Sequence, residues 1–209
     1  MNALLKKDFY MNVANFLIIF ISLPFFYVLK ISPHFMYLVL IYTFAWGLAY
    51  YDDLQKVHAY LASLPLTREQ IVRSRYLFII LSGIATGVYC IALDQIFRVF
   101  LQIDTLAFTF NSLFVMFCLG ILLISFALPF FYRFRFTVSI ILQIIFFNVL
   151  VTVGVFTVRF IFEHEIVWLV EFAEWLYLHY HFSLSFVTGL FLVLSYFVSV
   201  RIFVKKDLP

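Results

Sequence analysis

The chain has 209 residues, of which 66% are hydrophobic and 12% are charged, and its formal net charge at pH 7 is +3. Because soluble domains carry about 25% charged residues, this composition excludes an ordinary soluble domain and predicts a polytopic membrane protein. Cys90 and Cys118 both lie in apolar segments, which excludes a disulfide framework and favours small core positions.

The apolar segments predict six spans in a single transmembrane domain that covers residues 1–209. Lys6, Lys7 and Asp8 stand among apolar side chains, so residues 1–12 form either a short interfacial helix or a charged flank that fixes orientation. No small-residue cleavage site follows the next apolar run, and we interpret that run as a retained first span. The predicted spans are residues 13–29, 35–50, 76–101, 109–131, 136–156 and 182–203, with an inner loop at 51–75 and an outer loop at 157–181.

The basic residues predict the orientation of these spans. Of the 14 Lys and Arg residues, Lys30, Arg98 and Arg159 fall on one side, and the others fall on the side that holds both termini and the 51–75 loop. Positively charged residues concentrate on the cytoplasmic side of membrane proteins. Both termini and the loop are therefore predicted to be cytoplasmic.

The loop at 51–75 is the long polar interruption in this apolar chain. Pro65 lacks a backbone donor and disfavours helical angles at Leu64, so residues 63–66 predict a helix break. Thr67 stands three residues before Gln70, which is the spacing of a capping box. We expect an amphipathic helix, a break and a second helix that runs into the third span. A structured polar loop of this kind predicts a docking surface for a separate soluble protein.

Two residue pairs stand out within the third span. Gly83 and Gly87 are four apart and predict a small-residue face that permits close helix approach. Asp94 and Arg98 are also four apart and lie on one helix face. They form either an intrahelical ion pair near the outer interface or a polar lining on the outer part of a substrate path.

Polar residues of the fifth span and the outer loop give weaker signals. Gln143 and Asn148 are expected to form interhelical hydrogen bonds rather than a transport site. The outer loop carries acidic residues and histidines that raise the alternative of a membrane-embedded metal-dependent hydrolase. It lacks the second His of a zinc-protease helix, so a solvated amphipathic helix is the simpler interpretation and no metal site is predicted. The residues concerned are Glu163, His164, Glu165, Glu171, Glu174, His179 and His181.

The polar loop resembles that of the small permease subunits of type-two ABC exporters, a group that includes peptide, bacteriocin and phenol-soluble-modulin exporters. The two ends of the chain, Leu5-Lys6-Lys7-Asp8 and Lys205-Lys206-Asp207, are also similar to the ends of these subunits. Arg75 departs from the pattern, in which Lys is commoner, but it keeps the charge. The matching residues are Asp52, Asp53, Lys56, Tyr60, Ser63, Leu64, Pro65, Leu66, Thr67, Arg68, Ile71, Val72, Arg75 and Tyr76.

The resemblance implies a six-span permease without a catalytic centre that moves amphipathic, antimicrobial or cytolytic peptides out of a bacterial cell. It implies pairing with a second copy or a paralogue in the plasma membrane, and docking of cytosolic ATPase subunits that hold ATP and Mg. No nucleic acid partner is expected. The coupling segment would be residues 52–64, with a return helix at 67–75. Candidate motor contacts there include Lys56, Arg68, Arg73 and the Asp52-Asp53 pair, whose alternative role is to orient the chain in the membrane.

A self-contained channel or secondary transporter is a third interpretation, but the inverted repeats expected of one are not clear in the sequence.

Overall fold

The computed structural model describes residues 2–29, 31–54, 67–101, 108–163, 171, 175–176 and 178–205. This part of the chain contains helices and no strand, which confirms the all-α class. The main helices are α1 (Asn2–Met11), α2 (Val13–Val28), α3 (Pro33–Leu54), α4 (Arg68–Leu101), α5 (Phe110–Arg133), α6 (Phe136–Glu163) and α7 (Tyr180–Lys205).

Local sequence explains where several helices begin. Pro33 starts α3, a position where its missing backbone N–H costs no helical hydrogen bond. Thr109 caps α5, because its hydroxyl accepts a hydrogen bond of 3.2 Å from the backbone N–H of Ser112. Pro24 and Pro129 lie inside α2 and α5 without ending them. Extended backbone at Phe134 then separates α5 from α6.

Among the described residues, four helices are long and apolar enough to cross a membrane. A fifth candidate is the pair formed by α1 and α2, which meet at a bend of 51°. Helix α3 is not among these candidates, although Pro33–Leu54 contains the predicted second span. The count of six spans therefore stays a prediction. The four helices contain Arg68–Phe100, Phe110–Arg133, Phe136–Thr157 and Tyr180–Lys205.

The predicted spans differ from the helices mainly at the inner loop. Helix α3 does not end near residue 50 but continues to Leu54, and α4 begins at Arg68 rather than near residue 76. The polar arms of the loop are therefore continuous with the helices that precede and follow it. Such continuation is expected because a helix gains one backbone hydrogen bond for each residue added once it is nucleated.

Helix α5 lies at the centre of the bundle and packs against α7, α3 and α6. Small residues bring α3, α4 and α5 close together around Ile41, which is fully buried. A Cβ atom added to Gly83 would lie 2.5 Å from Cδ1 of Ile41, and one added to Gly120 would lie 2.8 Å from its Cγ2. Gly87 likewise faces the side chain of Leu113 on α5. The glycines thus permit the close approach that holds membrane helices together.

Hydrogen bonds between helices supplement this packing. The hydroxyl of Tyr76 on α4 lies 2.6 Å from Oγ of Ser195 and 2.9 Å from Oγ of Ser199, both on α7. Gln143 on α6 bonds the hydroxyl of Tyr42 on α3 and donates to the carbonyl of Ala127 on α5, as expected for an interhelical residue. In apolar surroundings such bonds fix which helix faces meet.

Asn148 differs from that expectation. Its side-chain amide donates to the carbonyl of Ile144 within the same helix, at 2.8 Å. The side chain is exposed on α6, so the residue makes a local bond instead of an interhelical one.

Substituting Gly83 by Leu should destabilise the bundle by about 1–3 kcal/mol, because the new side chain would overlap Ile41. Gly189→Leu is the matched control, since a Cβ there meets no heavy atom within 4 Å. Thermal unfolding of the purified protein in detergent measures both. Equal unfolding temperatures for the two variants would contradict the packing assigned to Gly83.

Candidate functional site

The two arms of the inner loop are joined by a buried ion pair. Arg75, in the second turn of α4, contacts Asp52 near the end of α3 through its Nη1 and the carboxylate. Their side chains are only 5% and 2% exposed. The guanidinium also lies over the ring of Tyr132 on α5, 5.6 Å from the ring centroid. The pair therefore fixes α3, α4 and α5 relative to one another.

Helix α1 packs beside the Arg75–Asp52 pair through Asp8, whose residue surface is 1% exposed. Its carboxylate accepts a hydrogen bond of 3.4 Å from Ser74 Oγ and lies 3.1 Å from the ammonium group of Lys7. The positive charges of Arg75 and Lys7 compensate the burial of this carboxylate. We call the set Asp8, Asp52, Ser74, Arg75 and Tyr132 the inner clasp, because it joins four helices beside the loop.

The return arm carries the predicted capping box. The backbone N–H of Thr67 donates to Oε1 of Gln70 at 3.2 Å, and the backbone N–H of Gln70 donates to Oγ1 of Thr67 at 3.3 Å. This reciprocal arrangement satisfies donors that a helix start otherwise leaves open. Helix α4 therefore begins at a defined point after the loop.

Arg68 contacts the last turn of α7. Its Nη1 donates to the backbone carbonyls of Phe203 and Val204, at 2.8 and 2.9 Å. A cation is favoured there because the carbonyls at a helix C-terminus lack partners and carry partial negative charge. Arg73, by contrast, is exposed on α4.

Asp53 caps the start of α6. Its Oδ2 accepts a hydrogen bond of 3.3 Å from the backbone N–H of Phe136. A carboxylate at a helix N-terminus satisfies an open donor and complements the helix dipole. The end of α3 is therefore attached to the start of α6.

The structure thus brings most of the predicted loop residues that it describes into contacts within the chain. Asp52 and Arg75 form an internal pair, Asp53 and Arg68 cap helices, and Arg73 remains exposed. In this arrangement Asp52 and Arg75 are too buried to touch a partner protein directly. Lys56, Tyr60, Ser63, Leu64 and Pro65 lie outside the described residues, so the helix break in the loop stays a prediction.

Sequence reasoning missed the role of Asp8 and the burial of Arg75. The sequence predicts either an interfacial helix or a charged flank around Asp8, and the return helix of a polar loop around Arg75, but no burial of either side chain. One available signal was the position of Ser74-Arg75 directly before the apolar run of the third span, where a charge needs a partner if the helix continues.

The pair predicted at the outer end of the third span is present. Nε of Arg98 lies 2.9 Å from Oδ2 of Asp94, and the same oxygen accepts a hydrogen bond of 3.2 Å from the backbone N–H of Phe108. The carboxylate of Asp94 therefore attaches the start of α5 to α4. A role in lining a substrate path stays a prediction.

The outer acidic segment is described only in part. The ring of His181 lies 5.0 Å from that of Phe114, and Nδ1 of His179 lies 3.1 Å from the backbone carbonyl of Trp175. Among the described residues, no three His, Cys, Asp or Glu side chains are grouped as a metal site requires. Glu171 is one of these described residues, whereas the side chains of Glu163, His164, Glu165 and Glu174 lie outside them.

We expect Asp52→Asn to cost about 3–5 kcal/mol of stability, because it leaves the buried guanidinium of Arg75 without its counter-charge. Adding Arg75→Gln to that variant should recover part of the loss. Asp53→Asn, at the neighbouring exposed position, should cost about 1 kcal/mol or less. Denaturation of the detergent-purified variants gives the comparison, and a loss at Asp53 as large as that at Asp52 would argue against a buried pair.

Comparison with known proteins identifies the transport family. The family model described as ABC-2 family transporter protein matches residues 3–204. No curated protein and no solved structure shows a detectable match to the chain. The matched region includes the inner clasp, both described arms of the loop and all of the main helices except their terminal residues Asn2 and Lys205. The chain belongs to the ABC-2 family of transporter proteins, as a membrane-embedded transport component of the kind that generally works with an ATPase subunit.

Proposed function

We propose that this chain is the permease subunit of an ATP-driven exporter and that a separate cytosolic ATPase docks on the segment between α3 and α4. The observation that carries the proposal is the inner clasp, which joins the two helical arms on either side of that segment to each other, to α1 and to α5. Membership of the ABC-2 family supports a permease role.

The inner clasp suggests how a movement of the loop would be transmitted to the membrane-spanning helices. Asp52 and Arg75 hold the two arms together, so a force on residues 55–66 would act on α3 and α4 as one unit. The ring of Tyr132 and the carboxylate of Asp8 extend that unit to α5 and α1. ATP binding and hydrolysis, with Mg, would take place on the partner subunit.

Coupling further requires that the ATPase contact the loop differently in its open and closed states. A ligand or partner shifts a conformational equilibrium only by its differential affinity for the two states. Closure of two ATPase subunits would then tilt the helices and alternate the exposure of a path between two permease chains.

Helix α6 offers surface for the second permease chain. Its candidate span is only 11% buried within this chain, the smallest share among the four single-helix candidates. A second copy or a paralogue packed there would cover the exposed amide of Asn148. An amide in contact with lipid is unfavourable, so this arrangement would also lower the cost of its position.

The proposal also includes six spans, which the apolar segments predict, and cytoplasmic termini, which the distribution of basic residues predicts. A bacterial plasma membrane location and outward movement of amphipathic or cytolytic peptides rest on the resemblance of the loop to peptide and bacteriocin exporters. The described surface supports an apolar cargo in general terms, because exposed large side chains such as Phe35 and Trp46 border a groove of about 320 Å³ between α3 and α6.

Reversing the charge of an exposed loop residue tests docking directly. Arg73→Glu should lower co-purification of a candidate ATPase encoded beside this chain by roughly tenfold, since an unfavourable charge at an interface weakens association. Arg159→Glu is the matched control, because this exposed residue lies at the far end of α6. The readouts are the amount of ATPase retained and the ATP hydrolysis that the permease stimulates.

Disruption of the predicted break tests the same surface independently. Replacing Leu64 and Pro65 together by Ala should abolish stimulated ATP hydrolysis, because a continuous helix would displace the docking segment. Unchanged ATP hydrolysis and transport in that variant, or the absence of any co-purifying ATPase with the unmodified chain, would refute the proposal.

A further inference from the structure

We propose that the inner ends of α5 and α7 hold the phosphate headgroup of an anionic phospholipid from the cytoplasmic leaflet. The site is a cavity of about 280 Å³ lined by Tyr132, Arg133, Ile202 and Lys205, which we call the headgroup cavity. The proposal uses the predicted orientation of the helices, but it does not depend on what the chain transports.

The headgroup cavity is lined by two basic side chains. Arg133 and Lys205 are exposed basic residues from two different helices, and no acidic side chain is among the described residues that line the headgroup cavity. Neither cation forms an ion pair with another described residue. Two cations at the cytoplasmic end of membrane helices attract anionic headgroups.

The neighbouring cavity shows why the phosphate should bind on this side of the α5–α6 turn. That cavity, of about 160 Å³, is lined by Arg75, Arg133 and Arg135, but Asp52 and Asp53 offset two of these three positive charges. These carboxylates would repel a phosphate group. The headgroup cavity therefore presents the more positive surface.

The shape of the adjoining surface favours a lipid over a soluble anion. Ile202 on the cavity wall is followed, one and two turns deeper into α7, by Val198 and Leu194 on the same helix face. These two side chains are 46% and 53% exposed. A basic cavity continued by an exposed apolar stripe matches a molecule with an anionic head and a hydrocarbon tail.

The position of the cavity gives lipid binding a structural consequence. Tyr132 forms part of the cavity wall, and the guanidinium of Arg75 lies over its ring. Arg68 caps the same end of α7 that carries Lys205. A bound headgroup would therefore hold α5 and α7 together next to the inner clasp.

The test measures binding of phosphatidylglycerol and of phosphatidylcholine to the full-length, delipidated chain in detergent by native mass spectrometry. The unmodified chain should retain phosphatidylglycerol preferentially. The double variant Arg133→Gln/Lys205→Gln should lose roughly 30-fold in affinity for it, the effect expected for two cations at a membrane surface. The charge-conserving variant Arg133→Lys/Lys205→Arg should keep the preference.

The double variant Lys6→Gln/Arg73→Gln is the matched control. It removes the same charge from exposed residues that do not line the headgroup cavity, so it should bind phosphatidylglycerol like the unmodified chain. An equal loss in both double variants would replace the proposed site by general electrostatic attraction. Thermal stabilisation by inorganic phosphate equal to that by phosphatidylglycerol would show a soluble anion site and overturn the lipid assignment.

Discussion

The buried contact between Arg75 and Asp52 is the interaction on which the inner half of the structure depends. Removing a charge from water costs several kcal/mol, and only a close counter-charge with supporting contacts offsets that cost. Arg75 meets these conditions because Asp52 and the ring of Tyr132 come from two other helices. The relative positions of α3, α4 and α5 are therefore constrained wherever the guanidinium stays buried.

Two kinds of constraint act at different depths of the bundle. Charges at the inner end specify which helix ends meet, through the inner clasp and the caps supplied by Arg68 and Asp53. Closer to the middle, glycines set how near the helices approach, as at Gly83. Lipid chains are as apolar as the side chains they contact, so apolar surface alone gives helices little preference for each other. Both constraints are therefore needed for a defined arrangement.

Composition and short-range spacing made the local part of this structure predictable. The all-α class follows from the apolar content, and the capping box at Thr67 and the ion pair at Asp94 follow from spacings of three and four residues. The contacts of the inner clasp join residues far apart in sequence, such as Asp8 and Ser74, and no local spacing encodes them. The burial of Arg75 depends on the rotation of α4 about its axis, which packing against α3 and α5 determines. Residues 55–66, where docking of an ATPase is proposed, lie outside the described residues, so that role rests on the sequence and the family.

The packing around Ile41 constrains how α3 can move. This side chain is enclosed by Gly83 and Gly120 at about the middle of α3, so this helix has least freedom to translate at that point. Asp52 lies ~16 Å from Ile41 along the helix axis toward the inner end, and Pro33 lies ~12 Å away toward the other end. If α3 rotated as a rigid body about this point, a displacement of the end that carries Asp52 toward the bundle axis would move the opposite end away from the axis by about three-quarters as much. One rigid helix would thereby narrow one end of the bundle while widening the other, without any change in its length.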